Sequence, residues 1–231
     1  MSVVYKLFSI TTHRYGLQKP ERAMIEKKMY DCLLLPTEGE DPSASTTTKN
    51  KREIDTIMYR ACIDALWKLP HREEKYLALD LALYYKDQIG WDNLQIYENL
   101  LRESQDIMWW DLVDPIAVNL IGAVALKKQK KMKSILRRWI KDEDNMWIRR
   151  TAILAQLKHK EHTDKTLLLD FCQQRMHEKE FFIRKAIGWA LREYSKTNPE
   201  CVMSFLKKHK SSLSGLSYRE ASKVLVKQGR M

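Results

Sequence analysis

Two segments of the chain resemble each other at a distance of about 35 residues, and this internal repeat constrains the fold more than any single motif. MWIRRTAILAQL (residues 146–157) aligns with FFIRKAIGWALR (residues 181–192), so that an aromatic residue, an isoleucine, an arginine and a second basic residue coincide. MWWDLVDPIAVN fits the same position one repeat earlier, and HREEKYLALDLAL begins about three periods before the last segment. A period of about 35 to 45 residues with two helices per unit is typical of stacked helical repeats.

The spacing of apolar residues from residue 52 onward predicts helices throughout. In REIDTIMYRACIDALWKLP the apolar residues recur every three or four positions, as on one face of a helix, and Pro70 ends the segment. Strand-like alternation never persists, and only 7 glycines and 6 prolines are available for tight turns. The sequence therefore predicts an all-α fold, a HEAT-like α-solenoid of stacked antiparallel helix pairs whose curved superhelix has a concave basic groove.

The predicted organisation is a single HEAT-like repeat domain over residues 1–231. Residues 1–35 carry apolar positions at helix-like spacing. The stretch PTEGEDPSASTTTKNK, at about residues 36–51, is polar and without periodicity, and it predicts a flexible insertion.

The charge of the chain indicates an anionic partner. Lys and Arg number 41 against 30 Asp and Glu, a formal charge of +11, which favours nucleic acid or an anionic membrane surface. The basic clusters KKQKKMK and LKKHKSS suit phosphate contacts, although such runs are also common on solvated surfaces. A basic protein without any polyanionic partner remains an alternative.

The cysteines and the hydropathy pattern exclude several classes of protein. Cys32, Cys62, Cys172 and Cys201 form no CxxC or CxxH arrangement, so neither a zinc site nor a disulfide framework is expected. Free thiols suggest a reducing compartment, and no apolar run reaches the roughly 18 residues that a membrane span needs. We expect an intracellular protein without metal, cofactor or membrane partner.

The segment MWWDLVD places two tryptophans beside two aspartates. Trp110 and Asp114 are four residues apart, so on a helix they share a face and can contact one ligand, whereas Trp109 would point inward. Alternatively, both tryptophans belong to the core. Asp111 and Asp114 would then cap a helix that has Pro115 at its first position.

Two further positions stand out in the repeated segments. Arg149 and Arg150 are adjacent, so at most one of them faces a groove, and a solvated helix face is the alternative. Gly188, beside Trp189, is unfavourable inside a helix by roughly 1 kcal/mol relative to alanine. It suggests the close approach of another helix or of a ligand, and simple core packing of Trp189 is the alternative.

WWDLVD, WIRRTAIL and FFIRKAIGWALREYSKTNP, followed by LSYREASK, resemble in order and spacing the AlkD-type DNA glycosylases of the DNA alkylation repair family. The resemblance runs from about residue 53 to 228. It implies a HEAT-like superhelix whose concave face holds duplex DNA. It also implies the removal of cationic alkylated purines, mainly 7-methylguanine and 3-methyladenine, from a lesion that stays stacked.

The resemblance also implies roles for individual residues. Asp114 would be the catalytic carboxylate, which stabilises positive charge on the deoxyribose and positions or deprotonates the attacking water. Trp110 and Trp189 would contact the lesion and the deoxyribose, since aromatic faces attract cations. Arg150 would hold the DNA backbone and help to keep Asp114 ionised. The other basic residues that we assign to the DNA backbone are Arg149, Lys185 and Arg219.

We therefore expect a monomeric DNA glycosylase of base excision repair that acts on double-stranded DNA with alkylated bases. One alternative is a non-catalytic HEAT-type protein that binds DNA lesions or unusual DNA structures. A second is a HEAT-type scaffold that binds other proteins. Salt-sensitive DNA affinity would separate this scaffold from the other two candidates.

Overall fold

The computed structural model describes residues 54–103 and 108–231. The predicted helix over residues 1–35 and the predicted insertion at about 36–51 lie outside these residues. Within the described part every regular element is helical and no strand occurs. The described chain falls into two compact units that divide between Gln88 and Ile89. The single domain expected from the sequence stays a prediction.

The first unit contains a helical pair. Helix α1 covers Thr56–Lys68, α2 covers Arg72–Tyr84, and a short 3-10 turn follows at Lys86–Gln88. The Asp55 carboxylate accepts a hydrogen bond of 2.7 Å from the backbone N–H of Met58, which caps α1. The two helices pack on each other through buried side chains that include Ile63, Leu66 and Leu81. Helix α1 ends before Pro70, as predicted.

The second unit holds the remaining helices. After a 3-10 turn at Trp91–Asn93, its α-helices are α3 (Leu94–Glu103), α4 (Trp110–Pro115), α5 (Gly122–Lys127), α6 (Gln129–Trp139), α7 (Met146–Leu154), α8 (Lys165–Arg175), α9 (Phe181–Ser195), α10 (Pro199–Lys208) and α11 (Gly215–Lys227). A π-helical segment, Ile116–Ile121, joins α4 directly to α5, and a 3-10 turn lies at Lys160–His162.

Helix α7 is the centre of the second unit. All its residues from Trp147 to Leu154 are buried, and it packs against the π-helical segment, α6, α8 and α9. Helix α9 in turn packs against α7, α8, α10 and α11. Burial of apolar side chains at these contacts stabilises the fold by roughly 25 cal/mol per Å² removed from water.

The predicted repeat is visible in these contacts. Helices α4, α7, α9 and α11 begin at Trp110, Met146, Phe181 and Gly215, at intervals of 34 to 36 residues. In the second unit, the main contacts join helices that are consecutive in the chain or separated by at most four helical elements. This local pattern is that of an α-solenoid, and the all-α, solenoid-like prediction is confirmed.

Side-chain caps explain where several helices start. Asn145 accepts from the N–H groups of Trp147 and Ile148, and Asp164, Asn198 and Ser214 cap α8, α10 and α11 in the same way. Helix α7 ends at Leu154, earlier than the pattern WIRRTAILAQLKHK suggests. Beyond it, His159 turns back and its Nε2 lies 2.9 Å from the carbonyl oxygen of Gly122.

Candidate active site

A cavity of about 410 Å³ in the second unit brings the central predicted residues together. Its lining residues are Trp110, Asp114, Arg150, Phe181, Phe182, Lys185, Trp189, Arg192, Glu220 and Lys223. They come from α4, α7, α9 and α11, the helices that begin at the repeat interval. Each of the four helices that begin at the repeat interval therefore contributes one or more residues to the cavity.

Trp110 and Asp114 share one face of α4, as their spacing predicts. Trp110 is the first residue of the helix and is 47% exposed, so its ring is accessible to a ligand. Asp114 lies one turn later, with its side chain 14% exposed. The alternative in which Asp114 caps a helix is wrong, because α4 has already begun at Trp110 and Pro115 lies inside it.

Arg150 holds Asp114 with two parallel hydrogen bonds. Nε of Arg150 lies 2.8 Å from Oδ1 of Asp114, and NH2 lies 2.9 Å from Oδ2. NH1 donates to the carbonyl oxygen of Phe182 at 2.5 Å, so the guanidinium is fixed on three sides. This fork geometry matches a carboxylate better than a lysine could, and it fixes the orientation of Asp114.

Burial and the pairing with Arg150 act in opposite directions on the pKa of Asp114. Burial raises the pKa of its carboxyl above the ordinary value of 3.8, while the hydrogen bonds and charge of Arg150 counteract the rise. The nearby charge of Asp111 adds to it. Asp114 is therefore a carboxylate whose ionisation depends on Arg150.

Trp189 faces the same cavity from α9 and is partly exposed. The glycine beside it is explained by helix packing. A Cβ atom on Gly188 would lie 2.5 Å from Cβ of Glu220 and 3.0 Å from the carbonyl oxygen of Ser217, both on α11. The predicted close approach at Gly188 is confirmed, and the approaching group is a helix.

The remaining aromatic residues form a chain of ring contacts at the edge of the cavity. The ring centroid of Phe182 lies 5.1 Å from those of Trp109 and Trp147, and Phe181 lies 5.3 Å from Phe182. Trp109 was expected to point inward. That expectation is wrong, since the residue precedes α4 and is 49% exposed, with its ring edge against Phe182.

The other basic residues predicted to contact DNA lie in different surroundings. Lys185 lines the cavity, and Arg219 is exposed on α11, four residues before Lys223. Arg149 does not line the cavity. Its guanidinium, 8% exposed, pairs with Glu178 and donates to the carbonyl oxygens of Asp142 and Glu143. Of the two adjacent arginines, Arg150 is therefore the one that lines the cavity, although its side chain is also buried, at 5% exposed. Phosphate contacts by either arginine stay predictions.

Sequence reasoning missed five lining residues, which are Phe181, Phe182, Arg192, Glu220 and Lys223. A signal for Arg192 exists, because Lys185, Gly188 and Arg192 follow at intervals of three and four on one helix face. Glu220 and Lys223 come from α11, and nothing in the local pattern indicates that they meet α9 here.

A larger cavity of about 610 Å³, lined by Gln156, Lys160 and Tyr194 among others, contains none of the predicted site residues.

Among residues 54–103 and 108–231, no three His, Cys, Asp or Glu side chains are placed to hold a metal ion. In the same part of the chain no helix combines the length and apolar character of a membrane span.

Comparison with known proteins places this geometry in a family context. The family model described as DNA alkylation repair enzyme matches residues 42–225. The solved structure of a predicted DNA alkylation repair enzyme from Enterococcus faecalis is 29% identical in sequence. The match covers 98% of this chain and 96% of that chain, with a TM-score of 0.70. No curated protein matches the sequence.

Proposed function

Because this chain belongs to the family of DNA alkylation repair enzymes, we propose that it is a DNA glycosylase that removes cationic alkylated purines from duplex DNA. The substrates would include 7-methylguanine and 3-methyladenine, and the lesion would stay stacked, as the family resemblance implies. The enzyme would act as a monomer without a cofactor. The observation that supports this proposal most strongly is that Arg150 holds Asp114 in a cavity that Trp110 and Trp189 also line.

The chemistry follows from the charge of the substrate. An alkylated purine carries a positive charge, so the bond between C1′ and the base nitrogen breaks without a general acid and the base departs as a neutral purine. Positive charge then develops on the deoxyribose, as in glycoside hydrolysis. Water adds to C1′ and loses a proton, which leaves an abasic site.

The residues of the cavity match these requirements. The carboxylate of Asp114 stabilises the deoxyribose cation and orients or deprotonates the attacking water. The rings of Trp110 and Trp189 attract the cationic nucleotide by about 0.5 to 2 kcal/mol each, which favours it over a neutral one. Arg150 keeps Asp114 oriented and ionised, since it donates to both carboxylate oxygens.

The experiment that tests the proposal is the release of 7-methylguanine from methylated duplex DNA. We expect Asp114→Asn to lower the single-turnover rate by roughly 10²–10³-fold, the usual cost of removing one electrostatic stabiliser of the transition state. Asp144→Asn is the matched control, because it makes the same change at an exposed position outside the cavity lining. Its rate should stay within about twofold of the wild type, as for surface substitutions away from a site.

A full rate in Asp114→Asn would show that the carboxylate is not catalytic. No release by the wild type, with lesion-specific binding intact, would favour the non-catalytic lesion-binding alternative.

A further inference from the structure

Glu220 is the centre of an ion cluster in the wall of the same cavity. Its Oε1 accepts from Nζ of Lys185 at 2.9 Å and from Nζ of Lys223 at 2.7 Å, and its Oε2 accepts from NH1 of Arg192 at 2.7 Å. The Glu220 side chain is 9% exposed, whereas those of the three cations are 24% to 55% exposed. One buried carboxylate therefore holds three accessible cations.

The packing of α9 against α11 creates the place for this carboxylate. Lys185, Gly188 and Arg192 lie on one face of α9, and the missing side chain of Gly188 leaves room for Cβ of Glu220. Glu220 thus enters between Lys185 and Arg192. Trp189 is the neighbour of both cations on α9, since it is four residues after Lys185 and three before Arg192.

Asp114 has a catalytic assignment, whereas a second carboxylate in a cavity that would receive a polyanion is unexpected unless it positions other groups. The hydrogen bonds and charges of Lys223 and Lys185 hold the pKa of Glu220 at about 2, so it is ionised at neutral pH. The cluster still carries two net positive charges. Each lysine ammonium has three N–H donors and an arginine has five, and the hydrogen bonds to Glu220 use one from each cation. Donors therefore remain for an anionic ligand.

We propose that Glu220 is a positioning residue, and this proposal rests on the glycosylase function proposed above. Glu220 arranges Lys185, Arg192 and Lys223 into a binding site for a backbone phosphate of the duplex, adjacent to Trp189. A phosphate offers several acceptor oxygens to these donors, and a fixed set of donors binds it without ordering three long side chains during association. The site would set the position of the lesion against Trp189 and Asp114.

Substitution of Glu220 separates positioning from simple charge. Glu220→Gln makes the chain more positive by one charge, so charge alone predicts tighter binding of a methylated duplex. Positioning predicts the opposite, about tenfold weaker binding, because the three cations lose their common anchor. Equal or tighter binding by Glu220→Gln, together with an unchanged excision rate, would overturn the proposal.

A second variant keeps the test valid if Glu220→Gln does not fold, which its thermal unfolding would show. Lys223→Gln removes one exposed cation of the cluster, and Lys227→Gln makes the same change one turn later on α11, outside the cavity. The probe is a set of duplexes with one uncharged methylphosphonate linkage, moved stepwise around a 7-methylguanine. We expect one linkage to weaken binding by the wild type and by Lys227→Gln, and to weaken binding by Lys223→Gln less, because only Lys185 and Arg192 remain to contact that phosphate.

Additive losses from Lys223→Gln and from every methylphosphonate position would contradict a phosphate site at this cluster. The coupling between Lys223→Gln and a methylphosphonate linkage is measured by binding and does not depend on catalysis. The two proposals can therefore fail separately. Coupling without excision by the wild type would overturn the glycosylase function only, and excision with additive binding would overturn the role of Glu220 only.

Discussion

At the scale of single residues, the proposed chemistry depends on the pair of Asp114 and Arg150. Burial alone would favour a neutral Asp114, which could not stabilise a cation, and the bidentate arginine opposes this. Arg150 was assigned from the sequence to the DNA backbone. Its contacts with Asp114 and Phe182 support a positioning role in this structure, and the phosphate contact stays a prediction.

This pairing predicts a change in the pH dependence of excision. In Arg150→Gln the lowering effect on the pKa of Asp114 is lost while burial remains, so the pKa rises further. The proposed mechanism requires an ionised Asp114, so the rate should fall at a higher pH than in the wild type as the solution is acidified. Single-turnover release of 7-methylguanine over a pH series measures the midpoint.

Arg137→Gln is the control for this experiment, because it removes the same charge from an exposed position on α6. Its midpoint should equal that of the wild type. An unshifted midpoint in folded Arg150→Gln would mean that the arginine does not control the ionisation of Asp114.

Residue spacing could predict part of this site and not the rest. The four-residue spacing placed Trp110 and Asp114 on one face, which the structure confirms. Spacing could not decide between Arg149 and Arg150, because that choice depends on Glu178 from beyond α8, which pairs with Arg149. The position of Trp109 was missed for a similar reason, since the ring of Phe182 supports it at the surface.

At the scale of helices, the approach of α11 to α9 is the tightest feature described. We expect Gly188→Ala to lower the free energy of unfolding, because overpacking costs about 1–3 kcal/mol and the gain in helix propensity returns only about 1 kcal/mol. The new Cβ would lie 2.5 Å from Cβ of Glu220, so α11 would have to move. Urea unfolding measures the difference.

Gly90→Ala provides the comparison, because no atom lies within 4 Å of the Cβ that it would add. This variant should unfold close to the wild-type midpoint. Equal stability of the two alanine variants would show that α11 yields without cost at Gly188.

Helix order and repeat length were predictable because they depend on local apolar spacing. Helix ends were less predictable from the sequence, as the early end of α7 at Leu154 shows. The cluster around Glu220 was not predictable, since it requires knowing which face of α11 meets Gly188. That contact joins residues far apart in the chain and leaves no periodic signal in either helix.

At the scale of the whole molecule, the charge of +11 fits a duplex DNA partner. We expect affinity for duplex DNA to fall steeply with salt, by about 10³-fold or more between 50 and 200 mM if six or more phosphates are contacted. Fluorescence anisotropy of a labelled duplex measures this dependence. Thermal unfolding at the same salt concentrations controls for loss of the fold, and salt-independent binding would instead favour the protein-binding scaffold.

The π-helical segment Ile116–Ile121 affects how the chain can change in length. A π-helical turn is wider than an α-helical one and accommodates an additional residue. Deleting one residue inside the segment could convert it to ordinary α-helix while Trp110 and Asp114 on one side, and α5 on the other, keep their facing directions. The same deletion inside α7 or α9 would rotate all later residues of the helix by about 100°. Deletion of one residue should therefore be tolerated inside Ile116–Ile121 and not inside the helices that line the cavity.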